Sequence, residues 1–210
     1  MDDPLRMYLV IRRGAFEDLA RAGELTGAAA VRCVREFGEE EALREWRPRP
    51  GKVVLRARGG QWGDVLAGEP HSLVGDPAGA AVIALPPRRR SRRGPLLERM
   101  QAMTSELAPP PREAEDHDPS ALTYLVNPAI EMSSGKTLAQ IAHAAVMAAD
   151  SGKLEAWVAA GCPAHVLRPP RSRFEALCGA RGLAARVEDA GLTEVSPGTV
   201  TVLALAPDIG

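Results

Sequence analysis

Large rings are scarce in this chain. Phe, Trp and Tyr together make up 4% of its 210 residues, against 45% for hydrophobic residues as a whole. A core of ordinary size is within reach, but it must be built from aliphatic and alanine side chains. Lysine is scarcer still. Of 26 basic residues only Lys52, Lys136 and Lys153 are lysines. An arginine excess follows genome composition readily, yet it singles out any lysine that falls in a motif. Charge of one sign is also missing: the net charge of -1 excludes a protein that merely coats nucleic acid, though not a local basic patch. The three cysteines, Cys33, Cys162 and Cys178, are odd in number and follow no disulfide framework. A reduced, cytoplasmic setting is the expectation. No apolar run approaches the roughly 18–20 residues of a spanning helix. The opening "MDDPLRMYLVIRRG" has acid at its front and too short an apolar stretch for a secretory signal.

What is present is organised in two similar halves. "YLVIRRG" from Tyr8 pairs with "YLVNPAI" from Tyr124, and "TGAAAVRCVREF" from Thr26 with "SGKTLAQIAHAA" from Ser134. "LREW" ending at Trp46 pairs with "LEAW" ending at Trp157, "KVVLRA" from Lys52 with "AHVLRP" from Ala164, and Trp62 with Phe174. "DPAGAAVIALPP" from Asp76 pairs with "SPGTVTVLALAP" from Ser196. The matches are individually weak, but they keep one order, as a diverged internal duplication does.

Alternating strand and helix patterns predict an α/β fold of two similar three-layer-type halves, each a small mixed sheet flanked by helices. In the second half, about four strands are expected, at Leu122–Asn127, His165–Arg168, Ala184–Glu188 and Thr199–Leu205. Helices are expected at Lys136–Asp150, Leu154–Ala159 and Arg171–Arg181. The first half has no clear counterpart of "AARVED" and reads as shortened. The boundaries that follow are a first half over 1–87, an arginine- and proline-rich linker with a short helix over 88–121, and a second half over 122–210. Arg88, Arg89, Arg90, Arg92 and Arg93 suit either RNA phosphates or a solvated linker neutralised by the acidic stretch downstream.

Gly-Lys-Thr at Gly135–Thr137, between a strand and a helix, invites a nucleotide-binding reading. A P-loop needs a leading glycine five residues before that glycine. Ile130 stands there, and nucleotide hydrolysis drops out. What remains is a helix N-terminus with free amides beside Gly135 and Lys136, suited to a phosphate or oxyanion.

Two stretches carry a resemblance. "GKTLAQIAHA" supplies Gly135, Lys136, Ala139, Gln140, His143 and Ala144. "DAGLTEVSPGTVTVL" supplies Asp189, Ala190, Gly191, Thr193, Pro197, Gly198, Thr201, Val202 and Leu203. In this order and at a domain-sized separation they resemble the second type of peptidyl-tRNA hydrolase. The resemblance covers about Leu122–Pro207, and reaches the first half only through the internal repeat. It implies an α/β fold around a four-stranded mixed sheet, and hydrolysis of the ester between a peptide and the 3′-terminal ribose of tRNA. It implies no metal or organic cofactor. The family generally forms homodimers, so two fused halves would imitate the dimer within one chain.

By the same resemblance, Lys136, Asp189 and Thr193 are the catalytic candidates, and Gly135, Gln140, His143 and Gly191 the substrate-binding ones. Ester hydrolysis needs a positioned water and a stabilised oxyanion, and these residue types supply both. Asp189 alone reads equally well as a turn cap, and His143 better as a structural histidine. The segment "VNPAIEMSSGK" departs from the family pattern: Asn127, Ala129, Glu131 and Ser134 stand where arginine, aspartate and lysines are usual. This leaves open a catalytically weak RNA- or protein-binding descendant of the fold. In the first half the repeat sets Ala28, Arg32 and Arg35 opposite Lys136, Gln140 and His143, with Glu69 and Leu73 opposite Asp189 and Thr193. That half is expected to be inert; Arg12, Arg13, Arg32 and Arg35 suit an RNA-binding surface, and Arg32 and Arg35 suit a solvated helix face equally well.

Overall fold

The computed structural model describes the chain except residues 1–2, 76, 78, 105, 115–117 and 208–210. The acidic stretch thought to neutralise the arginine block lies partly outside the described residues. Strands β1 (Leu5–Arg12), β2 (Gly51–Ala57), β3 (Ser72–Gly75), β4 (Ala81–Arg89) and β5 (Gln101–Ala102) form one sheet in the order β3-β4-β1-β2-β5. Strands β6 (Leu122–Val126), β7 (Ala164–Leu167), β8 (Leu183–Glu188) and β9 (Val200–Leu205) form the second, in the order β7-β6-β9-β8. Without the short edge strand β5, the two orders are the same. In each sheet the first two strands run parallel, joined through helices, and the other pairings are antiparallel. Strand β3 occupies the place of β8, so the counterpart of "AARVED" exists in a shortened form.

Two long helices, α1 (Leu19–Glu36) and α5 (Ser134–Asp150), lie between the sheets. Leu138, Ala142 and Val146 of α5 share a core with Met7, Leu9, Val54 and Val82 of the first sheet. Ala28 and Val31 of α1 share one with Leu122, Tyr124, Val166 and Val202 of the second. Each helix therefore buries itself against both sheets. Glycine and alanine make this possible. A Cβ on Gly23 would fall 2.8 Å from Cδ1 of Ile141, and one on Gly27 would fall 3.0 Å from Oη of Tyr124. The outer face of the first sheet is covered by α3 (Gln61–Gly68) and α4 (Gly94–Glu98), through Trp62, Val65 and Leu97. That of the second is covered by α7 (Arg171–Cys178), through Phe174.

Short helices α2 (Glu41–Trp46) and α6 (Glu155–Ala159) follow the long ones. Each carries a buried tryptophan whose indole N–H donates at 2.8 Å to a carbonyl at the entrance to the next strand. Trp46 bonds Gly51, and Trp157 bonds Pro163. The tryptophan, β2/β7 and β4/β9 pairings read from the sequence thus occupy matching places. Two other pairings shift. Leu9 lies opposite Val54 and Ala84, just as Tyr124 lies opposite Val166 and Ala204, so Leu9 is the positional equivalent of Tyr124. Tyr8 faces the outer layer instead. A slip of one residue exchanges the faces of a strand, and the repeated "YLV" letters mislead by that one residue. The helices also start in step: Asp18 caps α1 through the Arg21 amide at 2.8 Å, and Ser133 caps α5 through the Lys136 amide at 3.2 Å. Arg21, not Ala28, therefore occupies the place of Lys136. Alanine-rich stretches match one another at many offsets, whereas caps do not. Glu69 is likewise no equivalent of Asp189, because it ends α3 and pairs with Arg88 at 2.7 Å.

The connecting segment is tied into this frame. Arg88 and Arg89 continue β4, a 3₁₀ turn spans Arg90–Arg92, and the short predicted helix reduces to α4. Met103 donates its amide to the Val54 carbonyl at 2.9 Å, and Leu107 donates to Oγ of Ser134 at 2.8 Å. A Cβ on Gly135 would lie 2.0 Å from the Met103 carbonyl oxygen. Gly135 is thus required for close approach of the connecting segment. We expect Gly135→Ala to destabilise the protein by about 1–3 kcal/mol in urea unfolding, although alanine gains up to about 1 kcal/mol in an open helix. An unchanged or raised midpoint would contradict this packing.

Candidate active site

The β6–α5 turn, the end of β8 and the loop beyond it meet at one end of the second sheet. Ser133 holds them together: its amide and hydroxyl both donate to the Glu194 carboxylate at 2.7 Å, while its Oγ caps the helix. Lys136, in the first turn of α5, forms an ion pair with Oδ2 of Asp189, and its Nζ also donates to Oγ1 of Thr193 at 2.9 Å. The two charged side chains are only 12% and 7% exposed, so the pair is largely desolvated and each charge depends on the other. Gln140, one turn further along, donates Nε2 to the same Asp189 oxygen at 2.8 Å. Its Oε1 accepts from Oγ1 of the buried Thr201 at 2.8 Å, which fixes the direction of the amide. The Gly191 amide donates to Oδ1 of Asp189 at 2.8 Å. Gly191 has φ of 75°, and a Cβ there would strike the Pro197 ring at 2.4 Å.

The sequence candidates Lys136, Asp189, Thr193, Gln140 and Gly191 are therefore placed in one hydrogen-bonded network, with Asp189 at its centre. The turn-cap role of Asp189 and its ion pair coexist, one on each carboxylate oxygen. Gly135 is buried against the connecting segment. His143 lines the same cleft, but burial and the charge of Lys52 lower its pKa to about 3 against the opposing pull of Asp189, so it is neutral near pH 7. Thr201 was visible in the motif but was not read as part of the site; its partner, a glutamine one helical turn past the lysine, was the available signal. Glu194 carried no such signal.

The cleft has a volume of about 1030 Å³, and its opposite wall comes from the first half and the connecting segment. Lys52 sits in that wall, 4.5 Å from the centre of the Trp46 ring, with Nζ donating to the Pro50 carbonyl at 3.3 Å. Burial lowers the pKa of Lys52 to about 7, only partly offset by Asp150. Nothing in the motif signalled this lysine. The corresponding end of α1 differs: Arg21, in place of Lys136, pairs with Glu24 at 3.2 Å. Of the first half's basic residues, Arg32 pairs with Glu36 at 2.7 Å and Arg35 with Glu155 at 2.6 Å. In the arginine block, Arg88 pairs with Glu69, and Arg89 with Glu45 at 2.6 Å. Cys33 and Cys162 are buried, and burial pushes their thiols up to about 12 and about 11, leaving them un-ionised. Among the described residues no group of three or more His, Cys, Asp or Glu side chains is arranged to hold a metal, and no helix is long and apolar enough to cross a membrane.

Burial raises the pKa of Asp189, but hydrogen bonds from Lys136, Gly191 and Gln140, with the lysine charge, outweigh it and hold the net value below that of an ordinary carboxyl. A carboxyl with a depressed folded-state pKa contributes stability above its unfolded pKa of about 3.9, and loses it as pH falls through the folded value. Asp189→Asn should therefore cost about 1–3 kcal/mol in urea unfolding at pH 6 to 7. That difference should shrink steadily below about pH 4. A difference independent of pH would remove the ion pair from the account.

The two motifs and their network fall within a region of recorded relatives. A family model described as Peptidyl-tRNA hydrolase PTH2 matches residues 121–209. The peptidyl-tRNA hydrolase of Thermococcus onnurineus is 38% identical over 89 residues, which span 37% of this chain and 75% of that protein. That of Methanopyrus kandleri is 38% identical over 89 residues, spanning 38% and 77%. That of Thermococcus sibiricus is 35% identical over 94 residues, spanning 40% and 80%. With three quarters or more of each relative's length covered, and the family model lying over the residues that hold the Lys136–Asp189 network, the chain belongs to the peptidyl-tRNA hydrolase family represented by that model.

Proposed function

We propose that the chain hydrolyses the ester joining a peptide, or an N-blocked amino acid, to the 3′-terminal ribose of tRNA. The reaction takes place at a single site in the C-terminal half, formed by Lys136, Asp189 and Thr193, with Gln140 and Gly191 in support. The observation that carries this reading is the buried Lys136–Asp189 pair with Thr193 hydrogen-bonded to the same ammonium. In the reaction, a water oxygen bonds to the acyl carbon, negative charge gathers on the carbonyl oxygen, and the ester C–O bond breaks. One proton of the water goes with the leaving ribose oxygen, the other passes to solvent, and the peptide leaves as a carboxylate.

The hydrogen-bond count assigns the parts. Two of the three Lys136 N–H donors are engaged by Asp189 and Thr193, and the third is left for the oxyanion. Thr193 accepts from Lys136, so its own hydroxyl proton is available to the substrate or to the attacking water. Both Asp189 oxygens already accept bonds and its pKa is depressed, so it is a weak base. Its part is to hold the ammonium in place and to orient the water. His143 stays neutral and acts as a wall of the cleft. The division taken is a first half over 1–87, although β4 runs on to Arg89, a connecting segment over 88–121 and a second half over 122–210, with the first half as an inert partner in an intrachain pseudo-dimer.

The test is turnover of an N-acetyl-aminoacyl-tRNA. The wild type should release the N-blocked amino acid. Lys136→Ala should lower kcat/KM by about 10²–10³, the typical effect of losing one oxyanion donor, and Asp189→Asn should lower it comparably. A wild type that releases nothing, yet binds tRNA in a salt-sensitive manner, would identify a binding descendant of the fold instead.

A further inference from the structure

The charges lining the cleft are sorted by half. The second-half wall carries Lys136 with Glu188, Asp189 and Glu194; Lys136 is taken by Asp189 and Glu188 by Arg186, which leaves Glu194, bound only by Ser133 among the described residues, as the carboxylate without a cation. On the first-half wall, Arg6, Arg49, Lys52 and Arg89 stand against Asp3 and Glu45. The surplus on the first-half side is not consumed within the protein. Arg89 takes Glu45, and Asp3 accepts from the amide and hydroxyl of Ser91. Arg49 is exposed and has no carboxylate partner among the described residues. Lys52 is held by a carbonyl and a ring rather than by a carboxylate; with its pKa lowered to about 7 it is partly charged at neutral pH, so Arg49 is the permanent charge of this wall and Lys52 gains charge as a phosphate approaches. The turn leading into α5 adds no cation between Asn127 and Gly135, and contributes Glu131.

We propose that Arg49 and Lys52 of the first half form the phosphate-binding wall of the second half's active site, gripping the single-stranded 3′ end of the RNA whose terminal ester lies at Lys136 and Asp189. This rests on the reading of the site as a peptidyl-tRNA hydrolase. A polyanion entering the cleft meets the uncompensated Glu194 on one wall and attraction on the other, so its backbone follows the first half. The path is short, because β2, which carries Lys52, packs directly against α5, which carries Lys136. Lys52 is also a cation whose field is felt at His143, which feels the charge of Asp189 as well. The inert half thus supplies in cis the positive charge that the second half's own wall does not carry. The arginine block does not serve this purpose, since Arg88 is committed to Glu69 and Arg89 to Glu45.

The experiment compares wild type, Arg49→Gln and the double variant Arg49→Gln/Lys52→Gln on two substrates across a range of salt concentrations. One substrate is N-acetyl-aminoacyl-tRNA; the other is the corresponding N-acetyl-aminoacyl-adenosine, which has the ester but no phosphate. Arg49 is exposed on a turn, so its variant should fold normally even if loss of Lys52 weakens the packing over Trp46. The proposal predicts a rise in KM for the tRNA ester, with the dependence of log(kcat/KM) on log salt flattened by about one unit for Arg49 and by a further, smaller amount for the partly charged Lys52. The loss on the adenosine ester should be far smaller. Equal losses on both substrates, or an unchanged salt slope, would overturn it while leaving the hydrolytic reading intact. A wild type inactive on both substrates would overturn that reading and this inference with it.

Discussion

The contact on which the rest of the molecule depends is the packing of α1 against α5 between the two sheets. It exists because Gly23 and Gly27 present no side chain where Ile141 and Tyr124 approach. An amphipathic helix normally buries one stripe against one sheet. Here each central helix completes the core of both sheets, so neither half can bury its apolar surface without the other. With large rings so scarce, this shared alanine-rich layer does the work that aromatic side chains do in other cores. Its further consequence is positional. With α5 held over β2 of the other half, the N-terminal turn of α5 opens onto a cleft whose far wall belongs to the first half.

The site follows from a second constraint, the cost of burying charge. Lys136 and Asp189 are kept together because either alone would be an uncompensated charge in a poorly solvated place. Gln140, Gly191 and Thr193 then satisfy the remaining donors and acceptors. This leaves one lysine N–H and the threonine hydroxyl proton without a partner among these residues, the donors that the proposed reaction uses. At the equivalent end of α1, Arg21 is paired with Glu24 on an exposed face, so the same backbone geometry carries no comparable network.

The second half was legible in the sequence because its signals are local. Alternating strand and helix patterns and two motifs in order predicted every element there to within a few residues, and the motif residues converge on Asp189. The first half was legible in its topology but not in its register. "YLV" repeats one residue out of step, and the alanine-rich helices align at several offsets, so only strand pairing and caps decide the match. The edge strand β5 and the tie from Met103 were hidden because the segment reads as proline- and charge-rich linker, while its anchoring depends on backbone amides, which leave no pattern in side chains. Lys52 was invisible for the opposite reason: nothing near it in sequence relates it to Lys136, and only the shared helix layer brings the two walls together.

The most direct test of the account is a structure of the wild-type protein bound to a tRNA mimic whose 3′ end carries the peptide through an amide in place of the ester. The account predicts one mimic per chain, with the amide carbonyl in hydrogen-bond range of Nζ of Lys136 and the peptidyl end in the cleft between α5 and β2. A mimic seated instead along the arginine block, or at the equivalent end of α1 beside Arg21, would contradict it.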